Sequence, residues 1–450
     1  MTDLAKGTKF TTRDTKKVIV GKKLGEGRQG AVYTVSCNGK PKALKWYFGG
    51  RLKNPRKFSE NICNNIQKGP PNGSFLWPLD IIERQEGNVT DKESFGYIME
   101  LKPPEYKDFS LFLLAREHFV SVTSLVNTAL RITAAFRELH NKGYSYQDLN
   151  DGNFFVNPKT GEVLICDNDN VAEYGYNLGI AGKCRYIAPE VVLGQALPGI
   201  HTDKFSLAVV LFLLLFNNHP LEGKKAFPPC MTEDLEKNIY GKEPVFIFDF
   251  EDRSNEPVPG LNNNAIKRWP LFPKYVRDKF TEAFSQKALH DPAARIIEKD
   301  WIKIFTRLRS EIFKCGCTEI FFADSKETTR CPACGNDHRF EMRLEIGKHS
   351  LAIHQRTKLY ACHTEEDSDD FETITGEVIQ IDASGIYELK NRSKKTWLII
   401  NSNGKQISKG PGKTVLLESG MSVVFGGVTA RIMDNFSGEG YNKGGGQYGF

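Results

Sequence analysis

The chain has 450 residues, 40% of them apolar and 26% charged, with a net charge of +6. That length predicts two or three domains, and the charge, spread along the chain, does not by itself call for nucleic acid. Ten cysteines would fit a disulfide scaffold only in a much shorter secreted chain. The opening residues contain no apolar stretch of signal-peptide length, so a reducing cytoplasm is expected. The longest apolar run, 205–216, is too short to span a bilayer and is expected to form a buried core helix.

Taken in chain order, residues from about 16 to 105 predict short strands with one helix. VIVGKKL, GAVYTVSC, KPKALKWY and FGYIMEL alternate as strands do, and a helix is expected near 55–68. From Phe109 to Phe313 the pattern becomes mostly helical. SLVNTALRITAAFRELHNKG carries apolar residues at helical spacing and stops at Lys142-Gly143. A small β lobe followed by a larger α lobe predicts an α+β fold. At Cys315 the chain turns short, polar and cysteine-dense. Beyond about Leu344 it is strand-like to Asp434, with Asn-Gly, Pro-Gly and Ser-Gly turns that suggest a β-sandwich or barrel. EEDSDDFE, 365–372, reads as a solvated acidic loop. The Gly-rich end, 436–450, is expected to be disordered.

The chemistry concentrates in SYQDLNDGNFFVNPKTGEVLICDND, where Asp148 stands five residues before Asn153 and Asp167 closes an apolar run. Upstream, Gly25, Gly27 and Gly30 form a Gly-x-Gly-x-x-Gly hairpin whose backbone N–H groups can face phosphates. Ala43-Leu44-Lys45 follows on the next strand, and Ala188-Pro189-Glu190, Asp203 and Arg295 follow downstream. Over roughly residues 16–312 this set resembles the Hanks-type, eukaryotic-like protein kinase family. It resembles that family more than the aminoglycoside-phosphorylating relatives that share its catalytic core.

The resemblance implies a bilobal kinase domain, with an N-lobe at 16–101 and a C-lobe at 105–312. It implies ATP and Mg2+ as cofactors and transfer of the γ-phosphate to Ser/Thr hydroxyls of protein substrates, autophosphorylation included. By the same resemblance Leu24, Gly25, Gly27, Gly30, Val32 and Ala43 would cover the nucleotide, and Lys45 would clamp its phosphates in partnership with Glu60. Met99 would lie behind the adenine, with Glu100 and Leu101 offering backbone groups to it. Asp148 would orient the attacking hydroxyl, while Asn153 and Asp167 would hold magnesium through hard oxygen ligands.

Departures from the family pattern carry expectations of their own. His-Arg-Asp is Tyr146-Gln147-Asp148 here, which leaves no obvious cation for an activation-segment phosphate. Consistently, Asp167 to Glu190 contains no Ser or Thr. The lysine usual two residues after the catalytic Asp is Asn150, which puts a γ-phosphate contact in doubt. The metal loop reads Asp167-Asn168-Asp169 instead of Asp-Phe-Gly, so Asp169 is a further metal candidate. A constitutively assembled kinase is expected. The rival readings are a pseudokinase scaffold, or an adaptor that binds phosphoprotein or nucleic acid through the C-terminal modules.

Cys315, Cys317, Cys331 and Cys334 form CxC-x13-CxxC, the spacing of a tetrahedral zinc site made from two turns. A four-cysteine zinc ribbon is therefore expected at 313–345. A redox pair is the alternative, and His338 is a weaker ligand candidate. No basic-aromatic stripe accompanies the cluster, so Zn2+ is expected to staple the fold, and nucleic acid and membrane are not expected as partners. Residues 346–435 resemble the later half of a forkhead-associated domain, carried by the turns and LLESGMSVVFGG. A docking partner or a phosphoprotein follows as an expectation. Kinases that combine such modules look like bacterial signalling kinases.

Overall fold

The computed structural model describes residues 3–82, 84–85, 94–179, 182–228, 230–347, 349–381 and 386–435. The expected tail at 436–450 lies outside them. The chain divides into two compact units, one of residues 1–269 with 277–302 and one of residues 270–276 with 303 onward.

The first unit opens with an antiparallel sheet built on β1 (Lys9–Thr11), β2 (Lys17–Glu26), β3 (Gly30–Cys37) and β4 (Lys40–Tyr47). β5 (Asp80–Ile82), β6 (Arg84–Gln85) and β7 (Gly96–Met99) complete it in the order β5-β7-β4-β3-β2-β1-β6. Alternation in β3 sends Ala31, Tyr33 and Val35 into one apolar cluster with Trp46 and Phe10. The other face packs Ala43, Tyr47, Tyr97 and Met99 against Phe58 and Ile62 of helix α1 (Pro55–Lys68). α1 starts where the Asn54 side chain accepts from Lys57 N at 3.1 Å with proline in the first turn. It stops at Gly69, whose φ of 72° suits glycine.

After the short elements β8 (Lys107–Asp108) and α2 (Phe109–Leu113), helix α3 (Val122–Asn141) is capped by Ser121, which accepts from Ser124 N at 3.0 Å. β9 (Tyr144–Ser145), β10 (Phe154–Val156), β11 (Val163–Ile165) and β12 (Ala172–Glu173) follow as brief strands. α4 (Pro189–Val192) precedes α5 (Ile200–Phe216), in which every residue from Phe205 to Phe216 is buried. That is the core helix expected of the apolar run. Further short helices complete the lobe. Among the described residues, no helix is long and apolar enough to cross a membrane.

In the second unit, two antiparallel sheets face each other. In order of neighbouring strands across the sheet, the larger holds residues 349–352, 342–346, 429–434, 422–424, 397–400 and 406–409. The smaller holds 358–360, 374–380, 387–391 and 414–416. Leu344, Trp397, Ile399, Val423 and Ile432 of the first meet Leu359, Val378, Leu389 and Val415 of the second in one core. This is the sandwich-like domain that the alternating segments predict. Two small hairpins precede it, pairing 312–314 with 320–322 and 329–330 with 337–338, and they carry the cysteines.

Candidate active site

Pairing of β10 with β11 in the register Phe154↔Ile165 brings the two ends of the 145–169 stretch together. Cys166 N donates to Asn153 O at 2.9 Å, so Asn153 and the chain entering Asp167 are neighbours although thirteen residues of hairpin and turn separate them in sequence. Asn150 N donates to Asn153 Oδ1 at 2.8 Å and fixes that amide. From beneath, the buried Asp203 of α5 accepts from Tyr146 N at 2.6 Å and Gln147 N at 3.3 Å. Asp203 also meets His140 Nε2 at 3.2 Å, and His140 Nδ1 lies 2.7 Å from Glu298 Oε1. Neither His140 nor Glu298 was marked by any sequence motif.

Lys45 of β4 extends its ammonium to Asp167 Oδ1 at 2.9 Å and to both oxygens of Asp169 at 2.9 Å. Asp169 is fully buried and also accepts from the hydroxyls of Tyr47 and, at 2.8 Å, Tyr97. Burial works against the charge on Lys45, but the two carboxylates outweigh it and hold the ammonium above the usual lysine range. Burial likewise opposes ionisation of Asp169, yet Lys45 and the two tyrosines hold its carboxyl below the usual value. The same cluster drives Tyr47 and Tyr97 far above the ordinary phenol range, through burial first and the Asp169 charge second.

The expected partner of Lys45, Glu60, stands exposed on α1 and does not meet it. The helix register explains this. Phe58, Asn61, Ile62 and Asn65 form the inward face, and Asn61 and Asn65 both donate to Val171 O, at 2.8 and 2.9 Å. Asp169 takes the place expected of Glu60, and its buried carboxylate is saturated by protein donors, which removes it as a metal candidate. Asp167, by contrast, keeps its side chain 42% exposed beside Lys45, with φ at 55°.

Asp148 is partly buried, and its carboxyl is pushed up to about 6. Burial is the main cause, Lys183 opposes it, Asp167 adds to it, and Asn150 and Lys45 pull it back. Gln147, at the position of the missing arginine, is buried with φ at 68°. Its Nε2 donates to Tyr176 O at 2.6 Å and its Oε1 accepts from Leu178 N at 3.2 Å. Lys57 adds a bond to Asn177 O at 2.6 Å. The segment after the metal loop is thus tied at Tyr176, Asn177 and Leu178 by side-chain bonds to its backbone. Farther along, Glu190 receives the Arg295 guanidinium at 2.8 and 2.6 Å.

The nucleotide-facing residues fall into two groups. Val32, Ala43, Met99 and Leu101 belong to one apolar cluster, whereas Leu24 is exposed at the hairpin and Glu100 pairs with Lys42. Gly25 and Gly27 leave open space where a side chain would stand, consistent with an approach to backbone N–H groups. Gly30 is glycine for another reason, because a Cβ there would collide with the Trp46 carbonyl across the sheet.

In the second unit the Sγ atoms of Cys315, Cys317, Cys331 and Cys334 all lie within 4.8 Å of one another. Cys315–Cys334 and Cys317–Cys331 are separated by 3.7 and 3.6 Å. Those spacings are far too long for disulfides and match the edge of about 3.8 Å that a tetrahedron with ~2.3 Å metal–sulfur bonds requires. His338 Nε2 sits 3.3 Å from Cys315 Sγ, outside this set of four.

A bilobal α+β unit with a glycine hairpin, a buried Lys–Asp pair and a carboxylate loop is the architecture of a phosphotransferase of the kinase class. The family model for the protein kinase domain matches residues 18–257, more than half of the chain, and the chain belongs to that family. It is 25% identical over 228 residues to "Protein kinase YegI" of Escherichia coli O157:H7, covering 48% of this chain and 33% of that protein. It is 24% identical over 222 residues to "Probable serine/threonine-protein kinase RTK1" of Saccharomyces cerevisiae, covering 46% and 35%. A third relative, "Casein kinase I homolog 1" of the same yeast, is 24% identical over 272 residues, covering 55% and 47%. The chain therefore spans about a third of the length of the first two relatives and under half of the third.

Proposed function

We propose that this chain is an ATP-dependent protein kinase that phosphorylates serine or threonine hydroxyls of proteins. The observation that carries the reading is the convergence of Lys45 and Asp167, bonded at 2.9 Å, with Asp148 close enough to both for their charges to act on it. Lys45 would bind nucleotide phosphates, its charge secured by Asp169. Val32, Ala43, Met99 and Leu101 would receive the adenine on one apolar surface. Gly25 and Gly27 would turn backbone N–H groups toward the phosphates. Asp167 and Asn153 supply hard oxygens suited to Mg2+, which neutralises phosphate charge when bound.

Asp148 would accept a hydrogen bond from the substrate hydroxyl and hold it in line. With a carboxyl at about 6 it is ionised in most molecules at neutral pH, which suits orientation and late proton acceptance. The Ser/Thr preference is supported by similarity to the yeast "Probable serine/threonine-protein kinase RTK1". In this reading the kinase domain spans 16–312, the four cysteines at 313–345 hold Zn2+, and 346–435 docks a protein partner.

The test is transfer from labelled ATP with magnesium to the intact protein itself and to a generic protein acceptor. The wild type should label both, and Asp148→Asn should lose about a hundred-fold or more of the rate. No labelling by the wild type would defeat the enzyme claim, and equal labelling by both would point to a contaminating kinase.

A further inference from the structure

The catalytic loop lacks a cation of its own. Between Asp148 and Asn153 it presents Leu149, Asn150, Asp151 and Gly152, so its ionised side chains are carboxylates alone. Lys45 comes from strand β4 and is bonded to Asp167 and Asp169. A phosphoryl group moving from the nucleotide toward a hydroxyl at Asp148 would therefore meet, on the loop side, no cationic side chain of the loop itself beyond what bound Mg2+ supplies.

Among the described residues, Lys183 comes to that side. Lys183 Nζ donates to Asn150 Oδ1 at 2.7 Å and stands 3.5 Å from Asp151 Oδ1. Its charge is the largest influence opposing burial on Asp148. The path that delivers it passes close by. Gly182 has a φ of +69°, and a Cβ built there would lie 3.7 Å from Asp148 Oδ1 and clash with Ile187. Tyr186 N and Ile187 N both donate to Lys183 O, at 2.8 and 3.2 Å, which pins the backbone beneath the side chain.

A surface lysine that merely neutralises Asp151 would be worth little, since exposed pairs at such distances contribute about 0–1 kcal/mol. Three features argue for more. Asn150 is buried, so the closest bond of Lys183 is made to an anchored amide. That amide is itself fixed, with Nδ2 donating to Asp148 O at 2.9 Å and Oδ1 accepting from Gly152 N at 3.0 Å. The Lys183 side chain remains 57% exposed, so an ammonium with three donors keeps at least one for a ligand.

We propose that Lys183, delivered by the activation segment, is the cation that contacts the γ-phosphoryl oxygens of ATP, with Asn150 as its positioning residue. This rests on the kinase reading above and deepens it. Assembly of the segment and completion of the catalytic charge set become one event, because the group that balances the phosphoryl charge travels with the segment.

The experiment compares binding of a non-hydrolysable ATP analogue and of ADP, each with magnesium, by calorimetry on wild type, Lys183→Met and Lys183→Arg, with melting temperatures as a folding control. Wild type should bind both ligands. Lys183→Met should lose roughly ten-fold in affinity for the analogue while ADP binding stays within two-fold, and Lys183→Arg should recover most of the loss. In the transfer assay kcat should fall about ten- to a hundred-fold in Lys183→Met. An unchanged analogue-to-ADP ratio in a folded Lys183→Met would overturn the assignment while leaving the kinase reading intact. A wild type that binds neither nucleotide would overturn both.

Discussion

At the residue scale, the most consequential side chain is Asp169, which the amino-acid pattern offers only as a second metal candidate. Its burial beneath Tyr47 and Tyr97 makes it the counterion of Lys45. Removing one partner of a buried pair leaves an uncompensated charge. Asp169→Ala should therefore destabilise the protein by about 3 kcal/mol or more, read as a shift in the denaturant midpoint. Tyr97→Phe deletes one donor to the same carboxylate and should cost about 1–2 kcal/mol in the same measurement. Glu60→Gln, on the exposed face of α1, should change neither stability nor nucleotide affinity beyond experimental error. A large loss in that variant would mean that Glu60 and not Asp169 supports Lys45.

Among elements, the catalytic loop is held by contacts between helices. His140 of α3 lies between Asp203 of α5 and Glu298 near 300 in the chain, and all three are buried. Burial alone would lower the histidine, but bonds to the two carboxylates raise it to about 9 from an ordinary value of 6.5. Lys204 acts on Glu298, and His201, itself beside Lys204, Arg295 and Glu190, acts with His140. A raised folded-state value means that protonated His140 contributes its full stability below about 6.5 and loses it as pH climbs through about 9. The contribution is at most on the order of 3 kcal/mol. Melting temperature should fall between pH 6.5 and 9.5 in the wild type, and His140→Gln should flatten that slope. The activation segment yields a second expectation. Because Gln147 ties Tyr176 and Leu178 without a phosphate, phosphatase treatment should leave the transfer rate unchanged. Gln147→Ala should lower that rate about ten-fold or more through misplacement of the segment.

For the molecule as a whole, the second unit combines a sheet-on-sheet core with a cysteine cluster that has almost no core of its own. Cys315, Phe321 and Cys331 are the buried residues of that small cluster. So little apolar area cannot hold two short hairpins, whereas four thiolates around one cation can. Freshly purified protein should carry about one zinc per chain by elemental analysis. Chelation should expose four additional thiols to a colorimetric reagent without reductant. Protein with no bound metal and four thiols already reactive would remove the zinc assignment.

The kinase domain was legible because its chemistry is written in local spacing. Asp148 to Asn153, the glycine hairpin and Ala43-Leu44-Lys45 each lie within one turn or strand, where period and turn residues decide placement. α1 and α5 were legible for the same reason: a cap, a stop and a run of apolar residues. CxC-x13-CxxC was equally local. What the chain pattern could not supply was the choice of partner across long separations. Lys45 meets Asp169 124 residues away, and whether Glu60 or Asp169 fills that place depends on which face of α1 turns inward. Lys183 reaches Asn150 from 33 residues downstream because Gly182 steers the backbone past Asp148. By itself the sequence determined which reactive groups are present and on which elements they ride. The tertiary structure alone decided which charges neutralise one another, because Coulomb energy and desolvation follow distance and burial and not order along the chain.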